Sequence, residues 1–198
     1  MSRIVGVRDL YVAKLKTDNN EGATWDTPIR VPSLVSLSIS DTVEQSKFYS
    51  DDTVEQSFSK TSSKEVTIEL GYLTTELESI ITGKEYEDGI LLQGGDDAPP
   101  EIAIMFRSPK SKGGFRYSCL YKGSLARTES EYATQEDTIE SSTVTLTGTF
   151  ISLAFNNKMG ATADTDTVFA DDAGGTKAQA LKAKIDKWFT AVPLNAQG

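Results

Sequence analysis

The feature of this chain that most constrains its fold is an alternation of apolar and polar residues that returns in at least six segments. Alternation puts successive side chains on opposite faces of an extended strand, so each segment has one apolar face. Helices do not separate these segments in the regular rhythm that parallel strands require. The sequence therefore predicts a mainly β fold, an antiparallel sandwich or barrel. The predicted strands cover residues 10–15, 35–40, 66–70, 102–106, 115–121 and 143–150.

Two further segments have helical periodicity. The first runs from about Thr75 to Thr82, where Thr75 and Glu78 have the spacing of a capping box and Gly83 follows at the C-terminal cap position. The second runs from about Thr176 to Thr190. Both helices are expected to dock an apolar face on the sheet. The residues assigned to this packing are Leu77, Ile80 and Ile81 in the first helix and Leu181, Ile185 and Trp188 in the second.

The length of 198 residues suits one domain with a proper core. We expect a β core over about 5–155, followed by a loose surface excursion over 156–175 that is rich in small and polar residues. The C-terminal helix, about 176–190, completes the predicted domain. Lys110 to Gly114 separates two predicted strands and has the composition of a hairpin loop.

Composition argues against several classes of function. The chain has no histidine, which removes the commonest general base and transition-metal ligand, and its single cysteine rules out an intrachain disulfide. With 29 acidic against 20 basic residues, it lacks the basic footprint of ordinary nucleic-acid binding. Residues 1–20 contain no apolar run long enough for a signal sequence or membrane span, so we expect synthesis in the cytoplasm.

Motifs for chemistry are also missing. The aspartates after Ala163 lack the glycine and distal glutamate of a calcium loop, and the glycine pairs lack the lysine of a phosphate loop. The adjacent aspartates at 51–52 and 96–97 are typical of turns. We therefore predict no enzymatic activity, no catalytic residue, no cofactor and no metal site. The four aspartates that lack this calcium-loop pattern are Asp164, Asp166, Asp171 and Asp172.

An internal duplication points to an unusual hairpin. The hexapeptide Asp-Thr-Val-Glu-Gln-Ser occurs at 41–46 and again at 52–57, and a turn near 50–52 would let the two segments pair. The stretch from about 41 to 60 has too few large apolar residues to cover both of its faces, so we expect an arm that becomes ordered on a neighbouring subunit. A mobile loop with an accidental duplication is the alternative. The residues assigned to the arm are Asp41, Val43, Glu44, Phe48, Tyr49, Asp51, Asp52, Val54, Glu55 and Phe58.

Charges are segregated along the chain. Acidic side chains occupy 85–101 and 129–140, whereas the residues between 107 and 122 that carry charge are all basic. Such runs are either solvated faces or opposite-sign patches for head-to-tail stacking of identical subunits. The basic patch assigned to stacking consists of Arg107, Lys110, Lys112 and Arg116.

The order of several short motifs resembles one family. Gly6-Val7-Arg8-Asp9-Leu10-Tyr11-Val12-Ala13 opens the chain, Tyr49-Ser50-Asp51 follows, and Asp97-Ala98-Pro99-Pro100 precedes a strand. Later come Lys112 to Tyr117, Leu120 to Gly123, Thr145 to Thr149 and Trp188-Phe189. Together these are similar to the major tail proteins, or tail tube proteins, of long-tailed bacteriophages. The duplicated hexapeptide is not part of the resemblance.

The resemblance implies an antiparallel β-sandwich or barrel with flanking helices. It implies subunits that close into hexameric rings, in which inner strands complete a wide β-barrel, and rings that stack into a tube. The partners implied are further copies of the chain, the tape measure, tail terminator and baseplate or distal tail proteins, and DNA that passes through the lumen without specific binding. No membrane is implied, and the location is the virion, after assembly in the host cytoplasm. The acidic net charge suits such a channel because negative walls repel phosphates.

Two other readings of the sequence stay open. A monomeric β-sandwich could bind carbohydrate or protein through the loops at 107–116 and 156–175, although aromatic residues are sparse there. A tube protein of a contractile tail or secretion device would have the same sequence features as the leading reading.

Overall fold

The computed structural model describes residues 2–50, 53–130, 143–167 and 175–194. Within these residues the chain is mainly β, with eleven strands and two helices, which confirms the predicted fold class. The strands are β1 (Arg8–Asn19), β2 (Gly22–Trp25), β3 (Ile29–Val31), β4 (Leu34–Ser50), β5 (Thr53–Leu70), β6 (Glu85–Glu87), β7 (Ile90–Leu92), β8 (Ile102–Pro109), β9 (Phe115–Ser130), β10 (Val144–Ile151) and β11 (Gly160–Asp164). The helices are α1 (Thr75–Thr82) and α2 (Thr176–Asp186).

Nine of the described strands form one antiparallel sheet. Its main path runs β2-β1-β8-β9-β10-β5-β4, with β3 beside β1 and β11 beside β9. Strands β1 and β4 are five steps apart along this path, a distance of about 24 Å in a flat sheet. Some of their Cα atoms nevertheless approach within 8 Å. The sheet therefore curls into a barrel-like form.

The concave side of the curled sheet holds the main core, which we call the inner cluster. Alternate residues of the central strands fill it, including Ile102, Ile104 and Phe106 of β8, as the alternation predicted. Helix α1 closes one end of this cluster with Ile81, while Leu77 packs at its margin. The other strands add Leu10, Val12, Val31, Val66, Ile68, Leu70, Leu120, Leu125, Leu146 and Phe150.

A second core, the outer cluster, covers part of the convex side. The intervening residues of the same strands supply it, for example Met105 of β8 and Cys119 of β9. Trp188 is buried here, and Ile185 and Phe189 pack around it, so the C-terminal segment covers this face. Strands β8 and the first half of β9 are thus buried on both faces. That is why Leu120, on the polar side of the predicted 115–121 strand, is also in a core.

Helix α1 is confirmed at its predicted bounds, and Gly83 ends it in the left-handed conformation with φ of 76°. The predicted capping box is wrong. Thr74, not Thr75, is the N-cap, since its hydroxyl accepts a hydrogen bond from the N–H of Leu77 at 3.3 Å. Glu78 is unavailable for capping because its carboxylate is buried in ion pairs with two basic side chains.

Two expectations near the C-terminus need correction. The segment 156–175 is not loose throughout, because residues 160–164 form β11 and pair with β9 from Leu120 to Arg116. Helix α2 ends at Asp186, four residues before the predicted end, and turns follow to Thr190. The predicted loop at 110–114 is confirmed as the β8–β9 turn, where Gly113 and Gly114 both have positive φ.

Candidate assembly surfaces

Strands β4 and β5 form a hairpin that is much longer than the sheet it belongs to. Strand β5 pairs with β10 only from Lys64 to Leu70, whereas β4 and β5 continue to pair from Thr42 and Ser63 out to Ser50 and Thr53. We call residues 42–63 the arm, and its described parts, 42–50 and 53–63, therefore form a two-stranded ribbon. Nine residues of β4 lie in it, a length of about 30 Å. The two copies of the hexapeptide do not pair with each other but with the sequence that flanks the other copy.

The residues assigned to the arm from sequence lie in different settings. Asp41 is at its base, where its carboxylate forms an ion pair with Lys64 on the facing strand. Val43 and Phe58 are both exposed, and they lie on opposite faces because Phe58 is three residues from Thr61, the partner of Val43. Glu44 is exposed. The backbones of Phe48, Tyr49, Val54 and Glu55 lie in the two strands, while Asp51 and Asp52 fall outside the described residues.

Besides the outer edges of the short strands β2, β3 and β11, two long stretches of sheet edge have no backbone partner among the described residues. One is the outer edge of β4, which pairs only with β5. The other is the second half of β9, because β8 pairs with β9 no further than Gly123 while β10 follows the opposite edge as far as Ser130. Each edge presents a row of N–H and C=O groups that can accept another strand.

Between these two edges lies a hydroxyl-rich face, which we call the polar face. It is the convex side of the neighbouring strands β4, β5, β10 and β9, and its residues belong to neither core cluster. Of the described side chains that make up this face, two are acidic and none is basic; Lys122, next in the β9 row, is paired with Asp18 at 2.9 Å. Ser36 donates a hydrogen bond to Glu69 at 2.8 Å. The face consists of Ser36, Ser38, Ser40, Glu65, Thr67, Glu69, Ser124, Ala126, Thr145, Thr147 and Thr149.

Sequence reasoning did not single out the polar face. The signal was present, because serine and threonine occupy alternate positions in β4 and β10. Alternation alone does not say whether a second layer covers that side of a strand. The outer cluster covers the first half of β9 and stops before the second half, so only the fold separates the covered part from the open part.

The predicted basic patch lies around the β8–β9 turn, and three of its four members are paired within the chain. Arg107 contacts the carboxylate of Asp9 at 2.6 Å, and Arg116 makes two hydrogen bonds to Asp164 at 2.8 and 2.9 Å. Lys110 forms ion pairs with Asp164 and Asp166. The hydrogen bonds from Arg116 and Lys110 lower the pKa of Asp164 to about 2.

Lys112 is the fourth member of the patch. It is exposed at the tip of the turn, and no acidic side chain of the described residues pairs with it. Of the four candidate calcium ligands, Asp164 and Asp166 form ion pairs with basic side chains, and Asp171 and Asp172 lie outside the described residues. Among the residues that the structure describes, no group of three or more potential metal ligands occurs.

The helix-packing residues divide between the two cores. Ile81 and Leu77 contact the inner cluster, while Ile80 is half-buried outside it. Ile185 and Trp188 pack in the outer cluster, and Leu181 lines a shallow pocket beside Tyr117. Neither helix of the described chain is long and apolar enough to cross a membrane.

Comparison with known families decides what kind of protein carries these surfaces. The model of the phage tail tube protein family matches residues 39–182, which is most of the chain. The chain belongs to the phage tail tube protein family. Comparison with curated proteins gives no match.

Family membership accounts for the main features of the molecule. A tail tube protein is a structural component of the virion that assembles with copies of itself and with other tail proteins. The matched region begins inside β4 and includes the whole arm, most of the polar face and most of the sheet. Open edges and an uncovered face are what a subunit needs if its neighbours complete it.

Proposed function

We propose that this chain closes into rings through its two open sheet edges and that the rings stack into the tube through which DNA leaves the virion. The observation that carries the proposal is the four-strand unit β4-β5-β10-β9, in which the described part of the chain leaves an unpaired edge on each side and an uncovered polar face between them. Six subunits per ring is the number that the resemblance to long-tailed phage proteins implies.

Strand direction supports ring closure. Adjacent strands in the unit are antiparallel, so β4 and β9, at its two ends, run in opposite directions. When neighbouring subunits are related by rotation about an axis along the strands, β4 of one meets β9 of the next as an antiparallel pair. The antiparallel alternation then continues through every joint without a mismatch, and a closed ring leaves no unpaired edge in the four-strand unit.

The polar face suits the wall of a DNA channel. Its hydroxyl groups are hydrated and carry no charge, and its two acidic residues, Glu65 and Glu69, repel phosphates. A wall with basic side chains would hold the DNA electrostatically, because most non-specific affinity for DNA comes from phosphate contacts. In the proposed ring this face lines the lumen, while the inner cluster and α1 lie on the concave side of the sheet and the outer cluster covers a different part of the convex side.

The arm is the candidate for contact between rings. It continues the four-strand unit beyond the last residue of β10, so it extends from one end of a ring along the direction of stacking. An isolated two-stranded ribbon is marginal in water, and Val43 and Phe58 leave apolar surface exposed on both of its faces. Docking on the next ring would cover that surface.

Disulfide cross-linking tests the ring joint. Ser38 and Ala126 lie at the same level of the unit, since both are in register through Thr67 and Thr147. We would pair Ser36→Cys, Ser38→Cys or Ser40→Cys with Ser124→Cys, Ala126→Cys or Thr128→Cys. The native Cys119 is buried and gives little background. Oxidation of assembled protein should give a ladder of covalent oligomers that ends at the number of subunits in the ring.

The single-cysteine variants are the matched controls for this experiment. Ser38→Cys alone should give no cross-link. A covalent dimer from that variant would mean that β4 pairs with β4 of a two-fold related copy, which contradicts the ring. Negative-stain microscopy of concentrated protein should show rings or tubes with a channel; a strict monomer would refute the proposed function.

Removal of the arm tests the contact between rings. Asp41 and Lys64 face each other at its base, so replacing residues 42–63 by Asn-Gly makes a short hairpin and keeps the ladder with β10 intact. We expect an unchanged cooperative melt and normal rings but no long tubes. Tubes of the usual length from this variant would contradict the assignment of the arm.

A further inference from the structure

The two ends of the barrel-like sheet carry opposite charge. The acidic segment 85–101 leads into the first residue of β8, and the basic turn at 110–114 follows its last residue. The eight residues of β8 span about 25 Å, so the two charged segments lie at opposite ends of the sheet. The sequence shows the two runs, but only the direction of β8 places them apart in space.

At the acidic end, exposed aliphatic side chains are surrounded by carboxylates. Strands β6 and β7 form a small hairpin in which Glu85 faces Leu92 and Glu87 faces Ile90. Ile90 is 62% exposed and Leu92 is 45% exposed. Lys84, the nearest base in sequence, is committed to the buried Glu78 at 2.8 Å. We call this surface the acidic end; its exposed acidic residues are Glu85, Glu87, Asp88, Asp96 and Asp97.

At the other end, exposed aliphatic side chains are surrounded by basic groups. Residues 2–5 run beside the β8–β9 turn, held by hydrogen bonds from Ser111 N–H to Arg3 O at 2.7 Å and from Val5 N–H to Pro109 O at 2.9 Å. Ile4 is 49% exposed and Val5 is 60% exposed. We call this surface the basic end; its exposed basic residues are Arg3, Arg8 and Lys112.

Two of these three basic residues, Arg3 and Arg8, lie outside the patch that the sequence suggested, and only Lys112 belongs to it. Asp9, Asp164 and Asp166 neutralise Arg107, Lys110 and Arg116 within the chain. No acidic side chain among the described residues pairs with Arg3, Arg8 or Lys112, and Arg8 lies 5.8 Å from the ring centre of Phe115. The charge available to a partner at this end is therefore carried by residues mostly outside the predicted patch.

We propose that the acidic end of one subunit and the basic end of another are the two halves of a single contact between stacked copies of this chain. Each end has an apolar centre and a charged rim, the usual anatomy of a protein interface, and the rims have opposite sign. A contact between two different surfaces of the same chain is head-to-tail, and because these two surfaces lie at opposite ends of the sheet, repeating the contact builds an open filament with one polarity. This inference rests on the proposed stacking of rings and adds its chemistry and direction.

Charge reversal at each end tests the contact. Arg3→Glu with Lys112→Glu makes both ends acidic, and Glu85→Lys, Glu87→Lys and Asp96→Lys together make both ends basic. We expect each of these variants to fold and form rings but to give few long tubes, because like charges then face each other. A mixture of the two preassembled ring variants should recover tubes in which the variants alternate. Lys182→Glu with Lys187→Glu, on and after α2, is the control with the same charge change and should assemble normally.

The possible outcomes separate this inference from the proposed function. If each reversed variant forms tubes of the usual length, or if the mixture does not recover tubes, the end-to-end contact is wrong while the ring proposal stands. If the unaltered protein forms neither rings nor tubes, both proposals are wrong. Circular dichroism melts of all three variants check that the changes in assembly do not come from unfolding.

Discussion

At the residue scale, close approach of backbones explains why glycine occupies two positions in the centre of the sheet. A Cβ at Gly148 would lie 1.9 Å from the carbonyl oxygen of Ser124, and one at Gly123 would lie 2.4 Å from the ring of Phe150. Both glycines are in the β9–β10 ladder. These contacts come from a neighbouring strand, so the requirement for glycine arises from tertiary pairing.

The substitution Gly148→Ala tests this requirement. The new methyl group must push β9 away from β10, and overpacking of this kind costs about 1–3 kcal/mol. Chemical denaturation should show that loss of unfolding free energy. Gly22→Ala is the matched control, since no atom lies within 4 Å of its added Cβ. Equal stability of the two variants would contradict the explanation.

One carboxyl group, that of Asp164, should make the stability of the fold depend on pH in the acid range. Hydrogen bonds from Arg116 and Lys110 lower the pKa of Asp164 from 3.8 to about 2 in the folded protein. A carboxyl group whose pKa is lowered by folding stabilises the fold above its unfolded pKa and loses that contribution as pH falls through its folded pKa. Stability should therefore fall between about pH 4 and pH 2. In Asp164→Asn this part of the stability profile should be flatter; an unchanged acid limb would refute the assignment.

At the element scale, a buried carboxylate joins α1 to the sheet. The Glu78 side chain is 5% exposed and contacts Arg127 of β9 and Lys84, both at 2.8 Å. The helix thus packs on the inner cluster through Ile81 and is held to β9 by charge. The spacing between Thr75 and Glu78 is a local signal, and it predicts that Glu78 caps the helix. The partner that Glu78 has in the fold, Arg127, is 49 residues away, and the local sequence does not indicate that contact.

Glu78→Gln should weaken this junction. The substitution leaves two basic groups near a neutral side chain, and we expect a loss of about 1–3 kcal/mol of unfolding free energy, since both bases are partly exposed. Glu76→Gln, on the exposed side of the same helix, is the control and should change stability by less than about 0.5 kcal/mol. Thermal melts of both variants show whether the loss of stability comes from the buried ion pairs of Glu78 or from the removal of any negative charge on the helix.

At the scale of the whole molecule, the sheet has two cores that depend on different parts of the chain. The inner cluster is built from the strands and α1, whereas the outer cluster needs Trp188 and the C-terminal segment. Cys119 lies in the outer cluster with 1% of its surface exposed, and burial raises its pKa well above the usual value. It is therefore a reporter of how tightly the C-terminal segment is held.

Thiol labelling can use this reporter. In the native protein Cys119 should react slowly with a thiol reagent, and Trp188→Ala should accelerate the reaction at least about tenfold by loosening the cover over the outer cluster. Ile81→Ala opens a cavity in the inner cluster instead and is the control. If the labelling rate of Cys119 in each variant depends only on how much that variant's free energy of unfolding has fallen, the two cores do not open separately.

The sequence by itself determined the local structure and the family of this protein. The alternation of apolar and polar residues indicates strands, and it can be read from neighbouring residues alone. The ends of α1 likewise follow from Gly83 and the helical periodicity of the residues before it. The order of its motifs was enough for the resemblance, and the family match over 39–182 confirms it.

Only the tertiary structure decided which surfaces are available to a partner. Alternation gives every strand two faces, but the covering of a face depends on chain segments far away, such as the C-terminal segment over the first half of β9. The same is true of charge: Arg107, Lys110 and Arg116 looked available in sequence, yet aspartates up to 98 residues distant neutralise them. Burial and ion pairing are long-range properties, because strand order and curling bring together residues whose separation along the chain carries no information about contact.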